Sequence, residues 1–201
     1  MDAGGRVNQE RKPTIEQLAG QLAGLDPVRV GRRAQVVYDL SEGAYEFQFI
    51  GRPARLWPRE QAACWTDVEP AAALKPLQFR IALTYLLTAR ATGGPEGAWE
   101  PAEDVPPETR RALEAALGRD AASLIRAARR LGGRRSQIGE FAAEVPLLPR
   151  VRVRISFHET GEADARQSRI EWSRHAAGHL PPDMLAALLD MAVTRLIAAA
   201  Q

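Results

Sequence analysis

Cysteine is almost missing from this chain: Cys64 is the one thiol among 201 residues. A single thiol excludes an internal disulfide, a zinc site built on cysteines and an iron–sulfur cluster held by the chain's own thiolates. A reducing, cytoplasmic setting is the expectation that follows. Lysine is nearly as scarce, with only Lys12 and Lys75, so arginine carries almost all of the positive charge. Lys+Arg number 27 against 25 Asp+Glu, a formal charge of +2, which supplies no general drive toward nucleic acid or an anionic membrane. No apolar run reaches the roughly 18 residues of a membrane-spanning helix. The start, "MDAGGRVNQERKP", lacks the apolar stretch of a secretory signal. No Gly-x-Gly-x-x-Gly follows a strand pattern, and no serine sits in a Gly-x-Ser-x-Gly elbow, so the dinucleotide and hydrolase signatures are both wanting. A soluble protein with no nucleic-acid or membrane partner is expected.

What is present is core material. Apolar residues make up 45% of the chain, enough for one folded domain, expected over 13–201 behind a flexible tail at 1–12. "TIEQ" at 14–17 has the capping-box form with Thr14 as N-cap, and Asp26-Pro27 reads as a second helix start. From Val36 the period shortens: "VVYD", "AYEFQFI" and "ARLW" are separated by turn-like "LSEG" and "GRP", which predicts an antiparallel meander. Residues 58–76 read as irregular. "PLQFRIALTYLLTAR" at 76–90 is apolar around most of its circumference and predicts a buried central helix. A loop carrying Trp99 follows, then two short helices ending near Gly118 and Gly132, the second capped by Asp120. "VRVRISF" at 151–157 alternates, with Val151, Val153, Ile155 and Phe157 inward and Arg152 and Arg154 outward. "RIEW" at 169–172 is expected to pair with it, placing Glu171 opposite the arginines. A last helix over about 182–199 closes the core. The fold class predicted is α+β, with an N-terminal meander and a C-terminal hairpin packed against helices.

Three polar features could carry chemistry. In "SRHAAGH" His175 and His179 stand four apart, the spacing of a two-histidine metal box. Gly178 falls between them and "LPP" follows, so the reading adopted is a capped turn with Ser173 as N-cap and His179 beyond its end, and no metal. The run "RAARRLGGRR" at 126–135 could grip an anion through Arg129 and Arg130. The acidic loop "HETGEAD" offers Glu162 and Asp164, which could meet a ligand or, in a rival reading, serve an enzyme through a divalent cation.

The order of segments resembles domain-of-unknown-function family 3786, an uncharacterised prokaryotic family. The stretches that carry it are "GLDPVRVGRRAQVVYDL", "FQFIGRPARLW", "LTYLLTARATGGPEGAWEPAEDVPP" and the long segment from "PLLPRVRVRISF" to "SRHAAGHLPP". Tyr85-Leu86, Gly97-Ala98-Trp99, Pro146, Pro149, Gly161, Glu162, Asp164, Trp172-Ser173 and Leu180-Pro181 fall at the family's recurrent positions. Phe157 stands where the family often has tryptophan, and Ala163 and Ala165 interrupt its acidic-Phe pair. The resemblance implies a hint of iron–sulfur or corrinoid metabolism; some relatives adjoin a cysteine-rich cluster domain that this chain does not contain. The expectation taken forward is a non-enzymatic cytoplasmic accessory or binding protein. Its partner would be a small anionic ligand, a cofactor of unknown identity or another protein, met by Trp99, Arg129, Arg130, Glu162 and Asp164. Homodimerisation is a further outcome, since the Ala/Leu-rich last helix could expose apolar surface.

Overall fold

In this computed structural model the described residues are 12–91, 98–103, 105–118, 120–139, 141–159 and 166–201. The first helix begins as its sequence dictates. Thr14 Oγ1 accepts the Gln17 N–H at 3.2 Å, and Gln17 Oε1 accepts the Thr14 N–H at 2.8 Å, which satisfies two donors left over at the start of α1, Ile15–Ala23. Asp26 does the same for α2, Pro27–Ala34, by accepting from Val28 N–H at 2.9 Å.

The meander is β1 (Val37–Asp39), β2 (Ala44–Phe49), β3 (Arg52–Trp57) and β4 (Ala62–Trp65), an antiparallel sheet in that order. Tyr45, Phe47 and Phe49 are buried and Gln48 is exposed, the alternation expected of a half-buried strand. Strand β4 lies inside the stretch expected to be irregular. It pairs Ala54 with Trp65 and Leu56 with Ala63, burying Trp65 edge-on to Phe49 at 5.8 Å between ring centroids.

Helix α3, Pro76–Thr88, is buried from Ile81 through Leu86 with no exposed face over that turn and a half. Tyr85 ties it to its surroundings by donating to Ala34 O at 2.6 Å and accepting from Arg150 N–H at 3.1 Å. Arg33 Nη2 donates to Leu86 O and Leu87 O at 2.9 and 2.8 Å, so a cation meets the free carbonyls of the helix C-terminus.

The second sheet has five strands: β5 (Trp99–Pro101), β6 (Arg134–Arg135), β7 (Ala142–Leu148), β8 (Val151–Glu159) and β9 (Arg166–Ser173), in the spatial order β5-β9-β8-β7-β6. Trp99 therefore sits on an edge strand rather than in a loop. Helices α4 (Pro107–Leu117), α5 (Ala121–Arg130) and α6 (Pro182–Ala200) complete the elements, and α4 and α5 pack on β9 and β7. One face of this sheet is apolar: Val145, Val153, Ile155 and Ile170 are all buried. Leu185, Leu188, Leu189, Ala192 and Leu196 of α6 are buried as its spacing predicts. The two sheets share one buried apolar cluster. They also meet through the backbone, where Ile50 N–H donates to Leu147 O at 2.8 Å. Gly51, at φ +70°, lies so close to Leu131 that a Cβ would come within 2.6 Å of its Cα. The fold is α+β, with two antiparallel sheets and six helices among the described residues.

Candidate functional site

The other face of the five-stranded sheet is polar, and its register arranges it. Directly paired residues present their side chains on the same face. Arg134 pairs with Glu144, Glu144 with Arg154, and Arg154 with Glu171, giving a row of alternating charge across β6, β7, β8 and β9. Arg134 Nε lies 2.9 Å from Glu144 Oε2, and Arg152 Nη2 lies 3.4 Å from the same oxygen. Arg154 donates from Nε at 2.7 Å and Nη2 at 2.6 Å to Glu171 Oε2, while Arg169 Nη2 meets the other carboxylate oxygen at 3.0 Å. Two residues along on the same face, Trp99 pairs with Ser173, whose Oγ accepts the Arg152 N–H at 3.2 Å. The Arg154 guanidinium lies 4.9 Å from the Trp99 ring centroid, a cation–π contact.

Of these, Trp99, Arg134, Glu144, Arg152, Arg154 and Ser173 line a cleft of about 720 Å³, within the roughly 300–1,000 Å³ range of small-molecule sites. Its described lining includes Arg134, Arg135, Arg150, Arg152, Arg154 and Arg174 and one carboxylate, Glu144; just outside the lining, Glu171 pairs with Arg154 and Glu100 with Arg174. Positive charge lining a concave surface focuses potential and attracts anions. Arg154 and Glu171 are 8% and 4% exposed, so this pair is buried on the face expected to be outward. Removing this pair from water is costly unless each donor finds an acceptor. Arg154 Nη1 is buried and has no hydrogen-bond partner. Arg154, which lines the cleft, thus carries a cationic donor without an acceptor.

His175 and His179 line the other end, with Gln35 and Arg150. The turn between them is a 3₁₀ helix, Ala176–Gly178, with His175 in the N-cap position. Ser173 is not its cap; it ends β9 and spends its oxygen on Arg152. The histidines therefore share a cleft without sharing a helix face. His179 Nδ1 accepts the Arg90 N–H at 3.3 Å, which leaves Nε2 to carry the proton of the neutral ring. Burial, followed by the positive charges of Arg150, His175 and Arg90, pushes its pKa down to about 4. His175 Nε2 is buried and without a partner. No three His, Cys, Asp or Glu side chains among the described residues are grouped to hold a metal ion. Cys64 lies on β4, outside this cleft, and burial raises its thiol pKa.

Of the residues expected to meet a ligand, Trp99 lines the cleft. Arg129 and Arg130 do not: both are exposed at the last turn of α5, and Arg130 Nη1 donates to the Ala199 carbonyl. Glu162 and Asp164 lie outside the described residues, as do Gly97 and Gly161. The arginine run is divided by its own turn. Gly133 comes against β7 so tightly that a Cβ would stand 2.3 Å from Glu144 O. Beyond it Arg134 and Arg135 enter the sheet, while Arg129 and Arg130 stay on the helix. Arg150, Arg174, Ser173 and the histidines are lining residues that sequence reasoning misses. The signal for the floor is the alternation of "VRVRISF" against Glu171, which by itself places Arg152 and Arg154 together.

A family model described as a domain of unknown function (DUF3786) matches residues 26–195. No curated protein and no solved structure matches the chain.

Proposed function

The chain belongs to the DUF3786 family of unknown function, and from that premise we propose that it is a binding protein for a small anionic molecule, held in the arginine-lined cleft on the outer face of the five-stranded sheet. The observation that carries this reading is Arg154 Nη1: a buried cationic donor, on an arginine that lines the cleft, with no acceptor in the protein. Buried donors of this kind are ordinarily satisfied, and a ligand's anionic group would satisfy this one. The arginine excess around it supports the same sign of charge, and the neutral His179 adds a donor without adding to that charge. Cytoplasmic location in a prokaryote is part of the proposal. No described helix is long and apolar enough to cross a membrane. The rival cation-dependent enzyme would draw on Glu162 and Asp164, and no described residue argues for it.

Native mass spectrometry of the protein purified from its own host tests the proposal. A small anionic species bound to the folded chain, and displaced by raised salt, is the expected result. A bare chain mass, together with no anion in a metabolite panel raising its melting temperature, would remove the ligand from the account.

A further inference from the structure

The cleft's donors differ in direction as well as in number, and that constrains what they hold. Arg154 is clamped from one side, because Glu171 takes its Nε and Nη2 hydrogens at 2.7 and 2.6 Å. With its side chain only 9% exposed and its ring partner Trp99 beside it, the guanidinium cannot turn to chase a ligand. Nη1 is left to donate from a fixed point. Ser173 Oγ already accepts from Arg152 N–H at 3.2 Å, so its own hydrogen is available to donate. These groups stand on neighbouring strands, with Arg152 and Arg154 on β8 and Ser173 on β9, while Arg174 follows directly after β9. A carboxylate is planar, carries one charge and has two oxygens, and it is suited to a single guanidinium fork. Donors carried by three side chains on adjacent strands suit an acceptor with more oxygens pointing in more directions. A phosphate monoester has three such oxygens and close to two negative charges at neutral pH, which also answers the arginine excess better.

The volume adds a second constraint. At about 720 Å³ the cleft is far larger than a lone phosphate needs. Its lining also offers Gln35, the His179 Nε2–H and the unpartnered His175 Nε2, which are hydrogen-bonding groups suited to hydroxyls or carbonyls. We infer that the ligand is a phosphate monoester of a small polar molecule, with the phosphate over Arg152, Arg154 and Ser173 beside Trp99 and the organic part toward His175 and His179. This rests on the cleft being an anion site.

Isothermal titration of dialysed protein at pH 7.5 and low ionic strength separates the two levels. The probes are ribose 5-phosphate, adenosine monophosphate, inorganic phosphate, citrate and unphosphorylated ribose. At least one ester should bind ~10-fold or more tightly than inorganic phosphate or citrate, and ribose should not bind. Arg154→Lys keeps the charge facing Glu171 but removes Nη1, and Ser173→Ala removes the hydroxyl donor; each should weaken the ester by ~10-fold. Ser173→Ala should keep the melting temperature of the free protein within a few degrees of the wild type, and Arg154→Lys, which also loses part of a buried pair, should lower it. Citrate binding as tightly as the esters would overturn the phosphate assignment and leave the anion site standing. Inorganic phosphate equal to the esters would overturn the organic half. Ester binding indifferent to both variants would overturn the placement. Failure of every anion would remove the anion site itself.

Discussion

His179 is a residue whose acid–base chemistry is altered by folding. It is 1% exposed, its Nδ1 is committed to Arg90 N–H, and the surrounding positive charges oppose a further proton. Its pKa falls from the ordinary 6.5 to about 4 on folding. Between those values the unfolded chain binds the extra proton and the folded chain does not. The contribution is therefore full above about pH 6.5 and is lost as pH falls toward 4. At about 1.4 kcal/mol per pKa unit, His179 removes on the order of 2 kcal/mol between pH 7 and pH 4.5. His179→Asn offers an acceptor in place of Nδ1 and titrates nothing. Urea unfolding at the two pH values should show a smaller loss in the variant by about that amount. Equal losses in both proteins would mean that His179 is not held neutral. Ser173 shows why a residue's role can change within a correct local reading. Serine suits a helix cap because its oxygen accepts a nearby N–H, and it does accept one, but from Arg152 across the strands.

At the scale of elements, legibility follows periodicity. The capping box of α1, the Asp26-Pro27 start of α2, the buried α3 and the facing of "VRVRISF" against "RIEW" are all readable, because each has a local rule and several residues obeying it. Strands β4 and β7 are not. Strand β7 contains Pro146, which ordinarily argues against an interior strand. It is tolerated because β6 is only two residues long and pairs with Ala143 and Glu144, so no neighbour on that side needs the missing N–H at 146. The β7–β8 register also shifts between Pro146 and Leu148, a bulge where the proline can sit. Strand β5 has three residues, too few for any period. The turn that delivers β6 depends on Gly133. Gly133→Ala would push a Cβ into Glu144 O and Ala128 O, at 2.3 and 2.9 Å, both rigid backbone atoms. Loss of about 2 kcal/mol or more is expected, with Arg134 and Arg135 moved from the cleft. Gly20, mid-helix in α1, has nothing within 4 Å of the place a Cβ would occupy and should behave oppositely. Gly20→Ala should stabilise by about 0.5–1 kcal/mol. Denaturant titrations of the two variants check both signs; a neutral Gly133→Ala would contradict the tight approach of α5's turn to β7.

At the scale of the whole molecule, two sheets share an apolar cluster, and the larger one turns its second face into a cleft. The site is only partly legible in the sequence for a geometric reason. Charge composition near neutrality conceals a local excess, because a chain-wide sum does not show that six arginines and one carboxylate among the described residues line the same cleft. Alternation identifies Arg152, Arg154 and Glu171 as neighbours but cannot show that their face is covered, since cover comes from Trp99 and from chain distant in sequence. The cleft's histidine end comes from the link between β9 and α6, where spacing suggests a metal box and the flanking glycine and prolines suggest a turn. The turn is there, and both rings border the same cavity. Arg129 and Arg130 look equivalent to Arg134 and Arg135 in the run, and only the tight turn at Gly132 and Gly133 separates them.

The central claim is that this cleft holds an anion through Arg152 and Arg154. Its most direct measurement is the melting temperature of the dialysed wild type and of an Arg152→Ser, Arg154→Lys double variant, each titrated with a panel of small anionic metabolites at low ionic strength. The wild type should be stabilised in a saturable manner by at least one anion, by about 2.7 kcal/mol at a hundredfold excess over Kd, and the folded double variant should not respond. Equal stabilisation of both proteins, or none of either, would contradict the account.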